Sequence, residues 1–233
     1  MLDFGYYNMD CMQGMKDFPD NYFDLAIVDP PYGLGVGTMA YTNGVKRVGN
    51  ALADRKDYRH SEWDFRPNQD YFDELFRVSK KQIVWGGNYF TDFLPPSKGF
   101  IVWDKRVQDG MENDFADCEL AWISKGLGVA RVFRYLWNGM LQGNMKNKEY
   151  RIHPTQKPVA LYKWILANYA KEGDLILDTH VGSASSLIAC EDMGFKYVGF
   201  EIDDEYFKES SERLEQHKAQ ITISDLMADW RLP

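Results

Sequence analysis

Cysteine and histidine are scarce in this chain. Of 233 residues, three are cysteine (Cys11, Cys118 and Cys190) and four are histidine. The cysteines are far apart and form no Cys-x-x-Cys pair, so neither a disulfide framework nor a metal site is indicated. A reducing, cytoplasmic setting is the simple inference. No apolar run reaches transmembrane length, no signal peptide is expected at the start, and there are no repeats or low-complexity stretches. Positive charge is also in deficit: 27 Lys and Arg against 35 Asp and Glu give a net charge of −8, which argues against a general nucleic-acid binder. Hydrophobic residues make up 45% and aromatics 15%. At this length they suffice for one good-sized core, so residues 1–233 are expected to form a single domain.

The charge deficit is uneven. Residues 46–60 hold Lys46, Arg47, Arg55, Lys56 and Arg59 against two aspartates, a local +3. Residues 131–157 hold six basic residues, Lys146 and Lys148 among them, against Glu149, a local +5, which leaves −16 on the remainder. An acidic body with two basic segments fits a protein with one phosphate-contacting face, and equally fits ordinary solvated loops. The stretch 33–63 carries five glycines and has no pattern of its own. Loops of that length are usually functional or mobile.

The chain reads as alternating α/β. Strands are expected near 25–28, 82–85, 100–103, 119–124, 175–178 and 197–201, and helices near 68–79, 159–170, 183–193 and 203–217. In the second of these helices Leu161, Trp164, Ile165 and Tyr169 recur at helical spacing, which marks a core stripe. Such alternation implies a mostly parallel sheet with helices on both faces and ligands at the strand C-terminal ends.

Two strand ends carry chemistry. After the apolar run 25–28 comes Asp29-Pro30-Pro31-Tyr32. The prolines fix φ and remove two donors, leaving carbonyls as acceptors. With a carboxylate and a flat ring beside them, they suit a flat heterocycle with an exocyclic NH₂; the bland alternative is a Pro-Pro turn with a chance tyrosine. After 175–178 comes a loop of small residues, 179–186, containing Gly182 and Ser183, then a helix. Small residues there let a ligand approach the backbone closely. About twenty residues on, the next strand ends in Glu201, where nucleoside-binding folds hold ribose hydroxyls. The loop lacks full G-x-G-x-x-G spacing, and a solvated acid opening the next helix is the alternative for Glu201.

These motifs, in this order, resemble the beta-class amino-group DNA methyltransferases. The resemblance is carried by Asp29 to Tyr32, His153-Pro154-Thr155-Gln156-Lys157-Pro158, Asp178 to Ser185 and Gly199 to Asp203, together with Tyr7-Asn8-Met9-Asp10-Cys11 ahead of Phe18-Pro19-Asp20. It covers residues 10–217. It implies a permuted Rossmann-like S-adenosylmethionine methyltransferase fold and methyl transfer to the N6 amine of a flipped-out adenine. It assigns Asp29, Pro30, Pro31 and Tyr32 to catalysis. Asp10, Lys157, Asp178, Gly182, Ser183 and Glu201 go to the cofactor: Asp10 accepts from its adenine ring, Glu201 takes the ribose hydroxyls, and Lys157 pairs with its carboxylate. For His153 and Lys157 the alternative is capping of the helix after Pro158. DNA contact falls to the 33–63 loop as a flap, with 131–152 as a candidate recognition segment. A homodimer and a cognate restriction endonuclease are candidate partners. The family's loop usually has Phe where His180 stands and Gly-Thr where Ala184-Ser185 stands. Cytosine-N4, RNA or protein-amide methylation, and a non-catalytic cofactor-fold module, are the rival readings.

Overall fold

Strands buried on both faces need continuous apolar sequence, and the centre of this sheet is built from such runs. The computed structural model describes residues 1–34, 65–107, 116–138 and 141–229. In chain order the elements are β1 (Gly5–Asn8), α1 (Cys11–Met15), β2 (Leu25–Val28), α2 (Gln69–Val78), β3 (Gln82–Trp85), β4 (Phe100–Asp104), β5 (Cys118–Ile123), β6 (Arg131–Arg134), β7 (Trp137–Asn138), β8 (Leu141–Gln142), α3 (Val159–Tyr169), β9 (Leu175–Asp178), α4 (Ser185–Met193), β10 (Lys196–Glu201) and α5 (Asp204–Asp229). Among the described residues, eight strands form one sheet in the order β1-β10-β9-β2-β3-β5-β4-β6, and β7 pairs with β8 as a small hairpin. The first five strands in that order are parallel; β5 runs against β3 and β4, and β6 lies parallel to β4.

Strand alternation divides the core between the two faces. Leu25, Ile27, Ile83, Trp85 and Ile176 pack with Leu161, Ile165, Leu187 and Ile188 of α3 and α4. Ala26, Val28, Val84 and Leu177 face Met15 of α1 and Phe72, Leu75 and Val78 of α2. Helix α2 begins where the Asn68 side chain accepts from the Tyr71 amide at 3.4 Å. In α3, Leu161 and Ile165 are fully buried, while Trp164 and Tyr169 pack on the margin of the same core.

Topology places the site. From β2 the chain steps to β3 on one side; from β9 it steps to β10 on the other. The order reverses between β2 and β9, which lie side by side. Such a reversal opens a crevice at the strand C-terminal ends. Two antiparallel steps bring β4 back into line with β3, so β4 and β6 also end on that edge, and β5 begins there.

The six expected strands and four helices all form, with shifts of a residue or two, except that α5 runs on to Asp229. Unforeseen were β1, β6, the β7–β8 hairpin and the five-residue α1. The first residues of the candidate recognition segment 131–152 form the edge strand β6. Gly33 and Leu34 are described, but the rest of the 33–63 loop, including Lys46, Arg47, Arg55, Lys56 and Arg59, lies outside the described residues. Cys11, Cys118 and Cys190 are free thiols. Among the described residues no cluster of His, Cys, Asp and Glu could hold a metal, and no helix is long and apolar enough to cross a membrane.

Candidate active site

The Asp29–Tyr32 lip leaves the end of β2, a strand buried throughout. The Tyr32 hydroxyl turns back and donates to Asp29 Oδ1 at 2.7 Å. Burial, reinforced by the Asp29 and Glu119 charges, pushes this phenol well above its ordinary value, so it remains a donor. The Tyr32 ring stacks on Tyr89, with centroids 4.8 Å apart and planes 21° from parallel. This fit requires Gly86, directly after β3: its φ is +66°, and a Cβ there would stand 2.2 Å from Tyr32 Cε1. Arg66 donates to the Tyr89 carbonyl at 2.9 Å and pairs with Asp92, which fixes the turn carrying Tyr89.

Asp29 Oδ2 meets the Lys157 ammonium. The Lys157 side chain is only 2% exposed, and its second partner is Glu119 Oε2 at 3.2 Å. Glu119 in turn accepts from Lys105 at 3.0 Å. Burial alone would push the Lys157 ammonium down; Asp29 and Glu119 outweigh it and hold it above its ordinary range. Burial likewise works against ionised Glu119, but Lys157 and Lys105 hold its carboxyl below the usual range.

The neighbouring strand ends form an acidic row. Asp10, Glu201 and Asp178 stand at or just beyond the C-terminal ends of the adjacent strands β1, β10 and β9. Asp10 caps α1, accepting from Met12 N at 2.8 Å. Glu201 accepts from the amides of Gly182 at 2.8 Å and Asp203 at 3.0 Å, clamping the loop after β9. Asp178, fully buried, accepts from His180 N at 3.0 Å and from the Ser186 hydroxyl. Burial pushes the Asp178 carboxyl up to about 7 against those hydrogen bonds, with Asp29 and Glu201 adding to the rise. Burial also raises Glu201 above its ordinary value. Inside the loop Gly182 has φ +56°, and a Cβ there would be in ordinary contact with the His153 ring, at 3.8 Å. Ser183 and Ser185 hydroxyls lie 3.1 Å apart. Ala184 between them adopts a left-handed φ of +59°.

The row suits a cationic ligand carrying hydroxyls. Carboxylates favour the cation, their free lone pairs accept from hydroxyls and amines, and the backbone at Gly182 can be approached closely. S-adenosylmethionine has these features, so the residues present fit it. His153 stands against Tyr206, ring centroids 4.3 Å apart, and burial with the nearby Lys157 charge lowers it to about 3, so it is neutral. His180, pushed down to about 4 by burial, is not a solvated loop residue but packs edge-on to Tyr71 at 5.3 Å.

The structure thus brings Asp10, Asp178, Gly182, Ser183 and Glu201 to one edge of the sheet, with Asp29 to Tyr32 beside them. It brings Lys157 onto Asp29. Lys146 and Lys148 are exposed, in the turn beyond β8. Glu149 next to them is tied inward, accepting from Arg213 of α5 at 2.9 Å and from the first amide of α3 at 3.1 Å. Arg213 also reaches the Ser183 carbonyl and Ser185. Sequence reasoning missed Glu119, Lys105, Gly86, Tyr89 and Arg213. Only Gly86, a glycine directly after an apolar strand, had a local signal.

Fold and site together define a Rossmann-like α/β protein of the methyltransferase type. A family model described as DNA methylase matches residues 102–212. The type II methyltransferase M2.DpnII of Streptococcus pneumoniae is 33% identical over 225 residues, covering 82% of each chain. M2.MboI of Moraxella bovis is 25% identical, over 91% of this chain and 87% of its own. Among solved structures, the cytosine-N4-specific PvuII DNA methyltransferase has a TM-score of 0.56 at 15% identity, over 93% of this chain and 92% of its own. The M1.HpyAVI–SAM complex has 0.53 at 19% identity, over 89% and 98%. The chain belongs to this DNA methylase family and is a DNA methyltransferase.

Proposed function

We propose that this single-domain protein methylates the exocyclic N6 amine of adenine in DNA, using S-adenosylmethionine held along the acidic row. The observation that carries the reading is Asp29 at the first position of a rigid Pro-Pro-Tyr lip at the switch point; by resemblance to the family, Asp rather than Ser there favours adenine N6 over cytosine N4. Asp10, Asp178 and Glu201 hold the cofactor, which supplies an electrophilic methyl on a good leaving group. The adenine amine is a poor nucleophile because its lone pair conjugates with the ring. N–H bonds to Asp29 and the Pro30 carbonyl favour a pyramidal nitrogen, and positioning supplies much of the rate. Once the amine is methylated, its extra proton passes to Asp29 or water. The target base must leave the duplex to reach the lip, where the exposed ring of Tyr89, stacked on the half-buried Tyr32, can receive it.

DNA binds through the basic residues of 46–59 together with the exposed Lys146 and Lys148. A cytoplasmic setting follows, and a homodimer and a cognate endonuclease fit a type II role. The test is nucleoside mass spectrometry of DNA from cells with and without the expressed protein. N6-methyladenine is the expected product. N4-methylcytosine would move the reading to the other exocyclic amine, and no modified base in DNA, with S-adenosylmethionine still bound, would move it to RNA or protein amides.

A further inference from the structure

Four charges alternate through the site: Lys105 at the end of β4, Glu119 in β5, Lys157 before α3 and Asp29 after β2. They come from four separate pieces of chain. Two of them, Lys105 and Glu119, lie outside every motif that identifies the family. A buried ion pair is often no better for stability than apolar residues of the same volume, so stability alone gives little reason for this row. Its geometry bears on the amine. A carboxylate has about four lone-pair sites. Tyr32 takes one on Oδ1 and Lys157 takes one on Oδ2, so each oxygen keeps a site for a substrate N–H, and the 18% of the Asp29 side chain still exposed is where it would arrive.

We infer that Lys157, fixed by Glu119, is a positioning residue for the transfer: its ammonium sets the orientation of the Asp29 carboxylate that receives the amine. The inference rests on the methyltransferase reading of Asp29. The groups facing Lys157 are Asp29 and Glu119 in contact, the Trp85 ring at 5.3 Å and His153. Lys105 stands behind Glu119, the Tyr32 and Tyr162 phenols face the same carboxylates, and Asp178 faces Asp29. Two carboxylates keep the ammonium protonated against its burial. Removing one must move its titration to lower pH.

The test follows the Lys157 Nζ resonance in ¹⁵N-lysine-labelled protein, assigned by its loss in Lys157→Met. In Glu119→Gln the titration should move to lower pH, with the alkaline limb of kcat moving alongside it; Glu119→Asp should move both less. Lys157→Met should lower kcat by about a hundredfold, the scale of a 1 Å misplacement. Calorimetric S-adenosylmethionine affinity should stay near the wild-type value, and Lys157→Arg should restore part of kcat. A drop in cofactor affinity of about tenfold or more in Lys157→Met, with kcat intact, would assign Lys157 to the cofactor carboxylate and overturn the inference. An unmoved Nζ titration in Glu119→Gln would overturn it too, even if Lys157→Met fails to fold. Absence of methyl transfer by the wild-type protein would instead sink the activity reading and leave the titration result standing.

Discussion

At the end of β2 the Asp29 carboxylate is gripped by side chains, one of them 128 residues along the chain. At the ends of β9 and β10 the Asp178 and Glu201 carboxylates are gripped mostly by backbone amides, at His180, Gly182 and Asp203. The difference separates two ways of building a site. A carboxylate held by amides of its own loop or of the loop beside it is fixed once those loops form, whatever the side chains nearby. A carboxylate held by a distant ammonium is fixed only when the whole fold has closed, and it is exposed to substitutions at Glu119 and Lys105 that touch no ligand.

Exchanging damage between the two regions should give the largest effect. Asp29→Ala should abolish methyl transfer while leaving S-adenosylmethionine affinity close to wild type. Glu201→Ala should do the reverse, weakening cofactor binding by about 1.5–3 kcal/mol, the usual scale for one charged hydrogen-bond partner. Calorimetry beside single-turnover methylation separates the two. If Asp29→Ala weakened cofactor binding as heavily as Glu201→Ala, the lip and the loop would be one unit and the comparison would fail.

Much of this division was readable before the fold. Runs such as Leu25–Val28 and Leu175-Ile176-Leu177 are continuously apolar because both faces are covered, so strand, turn and carboxylate stood out together. Strand β1 escaped because Gly5–Asn8 is half-buried and carries no apolar run; β6 escaped because Arg131–Arg134 is a charged edge. Helix α1 is too short for periodicity to register. Glu119 was invisible for another reason. Its role depends on meeting residues 29 and 157, and no local pattern encodes that encounter.

The loop side should also show in the pH dependence of stability. Unfolded, the Asp178 carboxyl has its ordinary value of 3.8; folded, it is pushed up to about 7 by burial. Between those values the folded chain holds a proton that the unfolded chain has released. Stability from this group is therefore full below about pH 4 and is lost as pH rises through about 7. Asp178→Asn removes the cost of the buried anion, on the order of 4 kcal/mol once it is ionised. The variant should gain on the wild type as urea unfolding is moved from pH 5 to pH 8, while binding S-adenosylmethionine less well. A constant difference between the two proteins across that range would show that the anion is not what the loop strains to hold.

Lys146 and Lys148 belong to neither clamp, which makes them a control on both. Changing the pair to Gln should weaken DNA binding and lower its log–log salt slope by about 0.9 for each phosphate no longer neutralised. Cofactor affinity and the single-turnover rate at saturating DNA should hold. An unchanged slope would return these lysines to ordinary solvated loop.

The smallest effect should come from Ala184→Gly. Ala184 sits at φ +59° and ψ +20°, fully buried at the start of α4. That conformation costs a residue with a Cβ roughly 1–2 kcal/mol, and glycine would relieve it. The exchange also gives up one buried methyl, about 0.8 kcal/mol, and adds backbone entropy to the unfolded chain, about 0.5–1 kcal/mol. The two sides nearly cancel, so stability should stay within about 1 kcal/mol of wild type. Cofactor affinity decides more. If the Glu201–Gly182 and Asp178–His180 bonds set the loop, residue 184 is free to differ from the family's glycine, and calorimetry should find the affinity unchanged. A tenfold change would mean that the methyl shapes the loop, and that its backbone clamps are weaker than the Asp29 grip they are compared with.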